Sequence, residues 1–135
     1  MPHLSIEYSA NLEGRVDMDA LCRGLLEAVL ETGLFELGAV RVRAFAATHS
    51  AIADQHPENA FVDMSLRIGR GRSSEECERA GALVFARAEA LLSQPLKAPH
   101  FALTLEIREI DSALSWKRNA IHPRLRGARK EHGHG

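Results

Sequence analysis

The sequence predicts an α+β domain: two βαβ units joined into one four-stranded mixed sheet, with two helices packed on one face. Three observations carry this prediction. Apolar–polar alternation marks four short strands. Helical periodicity marks one long helix inside each half. The order strand, helix, strand recurs about sixty residues on, as a shared pattern without clear sequence identity. A parallel crossover fits each half, and packing both helices on one sheet is the simplest sum. A ferredoxin-like sheet has the same element order, so order alone leaves the strand arrangement open.

Each element has its own justification. From His3 to Ser9, Leu4, Ile6 and Tyr8 face one way, and His3, Ser5 and Glu7 the other. Asp17 is a good N-cap for the following helix, where Leu21, Leu25 and Val29 form a stripe widened by Leu26 and Leu30. Thr32-Gly33 stops it. The second strand is expected over 39–45, with Val40 and Val42 opposite Arg41 and Arg43. In the second half, Phe61, Asp63, Ser65 and Arg67 alternate with Val62, Met64, Leu66 and Ile68. After the turn Gly69-Arg70-Gly71-Arg72, Ser73 and Glu76 form a capping box. Val84, Ala88 and Leu91 give the second helix its stripe, Pro95 and Pro99 bound a linker, and His100 to Ile110 is the fourth strand.

Length and composition limit the function classes. At 135 residues the chain is one domain, expected over 1–126, with 127–135 as a flexible C-terminal tail. A formal charge of −1 offers no global field for nucleic acid. No leader pattern and no membrane-length apolar run stand out, so a soluble cytoplasmic protein without a membrane partner is expected. Cys22 and Cys77 each fall in a helical apolar pattern and are expected as buried thiols, not as a disulfide or metal pair. The sheet face away from the helices would carry Arg41, Arg43 and Asp63 beside several apolar positions. A sheet partly apolar on both faces suggests a ring-closed oligomer.

Met1-Pro2 is the most informative pair for chemistry. A proline behind the initiator methionine invites removal of that methionine, leaving a secondary amine at the start of a strand. An α-amino group titrates near 8, and a nearby cation or apolar wall lowers that further, giving a base poised near neutrality. Arg41 and Arg43 share a strand face and offer planar forks for carboxylates. Gly69 to Arg72 opens into a capped helix, a setting that favours anions, with Arg72 at the entrance. His49, His56, His132 and His134 lie in linker and tail without metal-ligand spacing. Trp116 to Leu125 would be exposed unless docked on a neighbouring subunit.

Four stretches carry a resemblance over Pro2 to about Leu125: PHLSIEYSANLE, TGLFELGAVRVRAF, ADQHPENAFVDMSLRIGRGRS and LEIREIDSALSWKRNAIHPRL. In them the chain resembles the 5-carboxymethyl-2-hydroxymuconate Δ-isomerase family of the tautomerase superfamily. The resemblance implies a tautomerase-like fold, a homotrimer, and no metal or organic cofactor. It implies that Pro2 is the catalytic base, with Arg41 and Arg72 catalytic and substrate-binding and Arg43 in a weaker, supporting role. Trp116 takes the place of the family's aromatic residue near the C-terminus. The implied substrate is a small polycarboxylate enol from homoprotocatechuate breakdown, isomerised to 5-carboxymethyl-2-oxohex-3-ene-1,6-dioate. Other proline-dependent tautomerases of 2-hydroxymuconate-like or phenylpyruvate-like enols, and a non-enzymatic dicarboxylate-binding oligomer, are the alternatives. The chain departs from the family in its tail, GARKEHGHG, and in the few aromatic residues over 44–52.

Overall fold

Alternation in the strands and periodicity in the helices meet in one buried layer. The computed structural model describes residues 1–133, with side chains described as far as Gly127. The strands are β1 (His3–Ser9), β2 (Arg41–Ala47), β3 (Ala60–Gly69) and β4 (Phe101–Ile110). The helices are α1 (Met18–Glu31), α2 (Ser74–Leu91), the single turn α3 (Ser93–Leu96) and α4 (Ile121–Gly133). The helical turn α3 replaces part of the linker expected between Pro95 and Pro99. β2 starts two residues later than expected because a 3₁₀ turn takes Leu37–Ala39.

The sheet order is β2-β1-β3-β4. β1 runs parallel to β2, and β3 parallel to β4, while β1 and β3 pair antiparallel at the centre. Each crossover helix therefore returns beside the strand it left. A ferredoxin-like sheet would exchange the two outer strands, so the observed order excludes it and bears out the two-unit reading.

Leu4, Ile6, Leu21, Leu25, Val62, Met64, Leu66 and Val84 are all at most 2% exposed and form the core between sheet and helices. Burying each such side chain stabilises the fold by about 1.5–3 kcal/mol. Asp17 caps α1 by accepting from the Ala20 N–H, and Ser73 with Glu76 completes the expected capping box. In α2 the buried stripe is Ala80, Val84 and Ala88, continued by Leu92. Leu91, expected in that stripe, is instead half exposed and packs over Gly24 of α1. Cys22 and Cys77 are free thiols, but half-buried rather than fully buried, because each lies at the margin of its helix's apolar face.

The open face of the sheet carries Arg41, Arg43 and Asp63 as expected. Strict alternation sends His3, Ser5, Glu7, Arg43, Asp63 and Arg67 there, while Val42 and Ala44 turn toward the helices. Phe45, Phe61 and, by its register with Gly69, Ile110 are the large apolar side chains of this face, beside the charged ones. The backbone of α4 continues past Gly127, where a tail was expected to start. Residues 134–135 lie outside the described residues. No helix among those described is long and apolar enough to cross a membrane.

Candidate active site at the amino terminus

Strand pairing fixes the start of the chain in place. Pro2 is buried, and its carbonyl accepts the Arg41 backbone N–H at 3.1 Å. The register then sets His3 opposite Arg41 on one side and Arg67 on the other. The Met1 amine thus sits among cations. Burial, then the charges of Lys117, Arg72, Arg41 and Arg67, hold it below the ordinary α-amino value of 8.0. Each effect acts against the protonated form.

The candidate arginines are not equivalent. Arg41 donates from Nη1 to the Ala39 carbonyl at 2.9 Å, and the same nitrogen lies 3.9 Å from the Met1 sulfur. Arg72 is clamped at three points: Nη1 to the Gly69 carbonyl and Nη2 to the Leu34 carbonyl, both at 3.1 Å, with its guanidinium 4.5 Å above the Phe35 ring. Gly71, at φ +112°, makes the turn that brings Arg72 back over Gly69. Arg43 lies one step further along its strand and is exposed, with Nη1 3.2 Å from His3 Nδ1. The structure therefore brings Arg41 and Arg72 to the chain start and directs Arg43 to His3.

The helix entrance itself is not an open anion site. The Ser73 hydroxyl accepts the Glu76 N–H at 3.1 Å, and Glu76 Oε1 accepts the Ser73 N–H at 3.0 Å. A carboxylate already occupies the first turn of α2, and hydrogen bonds from Ser73 hold its pKa below the usual value. The charge of Arg72 acts both on that carboxylate and on the chain-start amine.

Beside the amine lies a cleft of about 620 Å³, whose wall includes Met1, His3, Arg67, Trp116 and Lys117. Sequence reasoning assigned no role here to Arg67, Lys117 or Phe35. The alternation of β3 placed Arg67 on the open face, but its register beside His3 depends on the β1/β3 pairing. Lys117 reaches the cleft because the segment after β4 folds back across that end of the sheet. Burial, then Arg67, Arg43 and Arg41, hold the His3 pKa below its usual value, so it is neutral at neutral pH.

The segment expected at a subunit interface docks in part on its own chain. Asn119 Nδ2 donates to the Gly38 carbonyl at 2.9 Å, and its Oδ1 caps α4 by accepting the N–H groups of Ile121 and His122. Arg126 donates to both oxygens of Glu36, at 2.6 and 2.7 Å, and His122 Nδ1 lies 3.0 Å from Glu36 Oε2. Trp116 is left 85% exposed on the cleft rim.

One grouping at the other end of β3 and β4 has metal-ligand residue types. Ligand atoms of His56, Glu58 and His100 lie within 4.8 Å of one another. The two imidazoles are stacked, with centroids 4.1 Å apart and planes 14° from parallel. Imidazole lone pairs lie in the ring plane, so stacked rings do not aim at a common ion. His56 Nδ1 also accepts the Glu58 N–H at 3.1 Å. The grouping packs a loop and holds no convergent ligand set.

A strand-borne chain terminus whose amine lies among cations, on a double βαβ sheet, is here the site of an isomerase, as the family match shows. A solved member of the cis-3-chloroacrylic acid dehalogenase family shares the fold at 12% identity and TM-score 0.64, covering 87% of this chain and 80% of its own. A fused 4-OT described as a symmetric trimer does so at 13% and 0.61. The chain belongs to the 5-carboxymethyl-2-hydroxymuconate isomerase family, whose model matches residues 2–125. It is 31% identical over 122 residues to the 5-carboxymethyl-2-hydroxymuconate Delta-isomerase of Escherichia coli, covering 90% of this chain and 97% of that protein. A crystal structure of a 5-carboxymethyl-2-hydroxymuconate delta-isomerase superposes with TM-score 0.86 at 36% identity, covering 93% of both chains. The 5-carboxymethyl-2-hydroxymuconate isomerase structure from Deinococcus radiodurans R1 gives 0.85 at 34%, covering 92% of this chain and 93% of its own.

Proposed function

We propose that this chain converts 5-carboxymethyl-2-hydroxymuconate to 5-carboxymethyl-2-oxohex-3-ene-1,6-dioate, with Pro2 as the base once Met1 is removed. The observation that carries this reading is the cationic, part-buried setting of the chain-start amine. Supporting it, the family match begins at Pro2 itself. Removal of Met1 leaves the Pro2 nitrogen one residue further into the strand and clears the methionine sulfur from Arg41.

The neutral Pro2 amine takes the proton from the substrate 2-hydroxyl. Electron density moves through the diene, the C2–O bond becomes a carbonyl, and the double bond shifts to C3–C4. The prolinium returns one proton to C5, so no proton is gained or lost overall. Arg72, locked by two carbonyls and a ring, is a preorganised donor for charge growing on the 2-oxygen. Arg41 holds a neighbouring carboxylate through its fork. Arg43 acts behind them, fixing His3. Proton transfer of this kind contributes about 10²–10⁴-fold, and positioning adds to it. Neither step calls on a metal or organic cofactor.

A homotrimer suits this site, since a fused tautomerase relative assembles as a symmetric trimer and the cleft rim leaves Trp116 uncovered. Two unpaired thiols suit a reducing cytoplasm. The test compares fully processed protein with a form that keeps Met1, each verified by intact mass. In the blocked form Pro2 nitrogen is an amide and cannot accept a proton, so turnover should fall to background. Equal turnover by the two forms moves the base to another residue. A substrate panel sets this reaction apart from turnover of 2-hydroxymuconate or phenylpyruvate enols.

A further inference from the structure

Three cations on the cleft wall, Arg67, Lys117 and Arg118, have no counterpart in the proposed proton transfer. The described ion pairs of basic side chains involve Arg70, Arg87, His100, Arg108, His122 and Arg126. Arg67, Lys117 and Arg118 are exposed, line the cleft and belong to none of these pairs, and of the three Arg67 and Lys117 lie near enough to the chain start for their charges to act on its amine. Their donors are uncommitted, unlike those of Arg41 and Arg72, which bond backbone carbonyls. The one carboxylate on the wall, Asp111, already accepts the Ala113 N–H at 3.0 Å.

Their placement is unfavourable without an anion. Arg41, His3 and Arg67 lie side by side across three strands on one face. Two strand spacings separate the arginine backbones by about 10 Å. Arg67 also stands directly opposite Arg108 of β4, and like charges directly opposite one another are destabilising. Lys117 brings a further positive charge to the cleft, beside Trp116 in sequence.

We infer that Arg67 and Lys117 form a second anion-binding pole in this cleft, which selects ligands carrying a third carboxylate over dicarboxylates. The inference deepens the proposed function and rests on it for the identity of the reacting substrate. Arg41 and Arg72 grip the reacting half of the molecule. Arg67 and Lys117 receive the carboxymethyl arm, which a plain 2-hydroxymuconate lacks. The spread of charge along the amine side of the cleft agrees with this, since both residues also act on the chain-start amine.

Trp116 is the sole tryptophan and sits on the cleft rim, so its fluorescence reports occupancy directly. Methionine-processed protein is titrated at low salt with propane-1,2,3-tricarboxylate and with pentanedioate. Wild type should bind the tricarboxylate at least about tenfold more tightly, the worth of one charge-assisted hydrogen bond. Arg67→Met and Lys117→Met should each reduce that ratio about tenfold, while R67K and K117R should restore most of it. Lys97→Met, at the far end of β4, removes the same charge and should keep the wild-type ratio. Loss of the ratio in K97M would mean a general charge effect and overturn the pole. So would wild type without preference, or a ratio unchanged in both R67M and K117M. Each site is tested separately, so misfolding of one variant, seen by circular dichroism, leaves the other decisive. Enol turnover in the same samples separates the two ideas. Preference without turnover defeats the proposed reaction alone, and turnover with an unresponsive ratio defeats the anion pole alone.

Discussion

Arg72→Lys keeps the positive charge beside the chain start and removes the planar fork. In the structure two nitrogens of Arg72 reach two different carbonyls, those of Gly69 and Leu34, and the plane rests on Phe35. A lysine ammonium can serve one of those carbonyls and cannot stack in the same way. The loss is one hydrogen bond from a charged donor, about 1.5–3 kcal/mol, plus a cation–π contact of about 0.5–1 kcal/mol. Expressed fully in the transition state, about 2–4 kcal/mol lowers kcat/KM by about 30- to 1,000-fold. The acidic limb of the pH profile should stay near its wild-type position, since the charge that disfavours the protonated amine is retained. Arg72→Ala should add a second effect. With that cation gone the amine pKa rises toward the ordinary 8, so the limb moves to higher pH. The assay is kcat/KM against pH for processed wild type, R72K and R72A in one buffer series at constant ionic strength. Wild-type kcat/KM in R72K would refute preorganisation as the role of Arg72. A limb that stays put in R72A would refute its electrostatic coupling to the base.

Gly38→Ala should lift the start of α4. A Cβ there would meet His122 Nδ1 at 2.8 Å and the His122 backbone at 3.2 Å, so overpacking of about 1–3 kcal/mol is expected in urea denaturation. Wild-type stability in that variant would show that α4 does not rest on Gly38. Acid should release the same contact. The hydrogen bond from Arg126 leads the causes that hold the Glu36 carboxyl below its usual value. A depressed folded-state pKa means the contribution is present above the unfolded value, about 4.3, and is lost as pH falls through the folded one. Hydrogen exchange over 119–126 should therefore accelerate relative to the core as pH falls below the ordinary carboxylate range, and Glu36→Gln should show the faster exchange already at neutral pH.

Much of this architecture is legible in local pattern. Leu4, Ile6 and Tyr8 announce their face by alternation, and Asp17, Ser73 and Glu76 announce helix starts by chemistry that acts within four residues. What local pattern does not carry is which strand lies beside which. The order β2-β1-β3-β4 rests on crossovers between units, and with it goes the placement of Arg67 beside His3. Pro2, Arg41 and Arg72 were marked by residue type and by resemblance, and geometry brings the two arginine charges to the Met1 amine beside Pro2. Arg43 was marked with them, but its strand position turns it to His3. Lys117 was given no role, because its reach to the cleft depends on how the chain turns after Ile110. Leu91 and Leu92 show the limit of periodicity near a helix end. Where α2 gives way to α3, a one-residue shift exchanges the buried and the exposed leucine.

The two halves of the sheet meet as near-mirror partners in sequence order, β1 against β3, yet they start differently. β1 begins just behind Met1-Pro2, whereas β3 begins inside the polypeptide, where the Ala60 amide donates to the His100 carbonyl at 2.7 Å. An internal amide has no basic lone pair, so on the proposed chemistry each chain carries one reactive terminus for two strand–helix–strand units. The placement of any added sequence follows from this. A purification tag or fusion partner ahead of residue 2 would acylate the nitrogen on which turnover depends. A circular permutant opened in the 48–59 loop would do the same by joining Pro2 to the old C-terminus. Such a permutant offers a catalytically silent copy of the fold, in which binding can be measured with every side chain of the cleft in place.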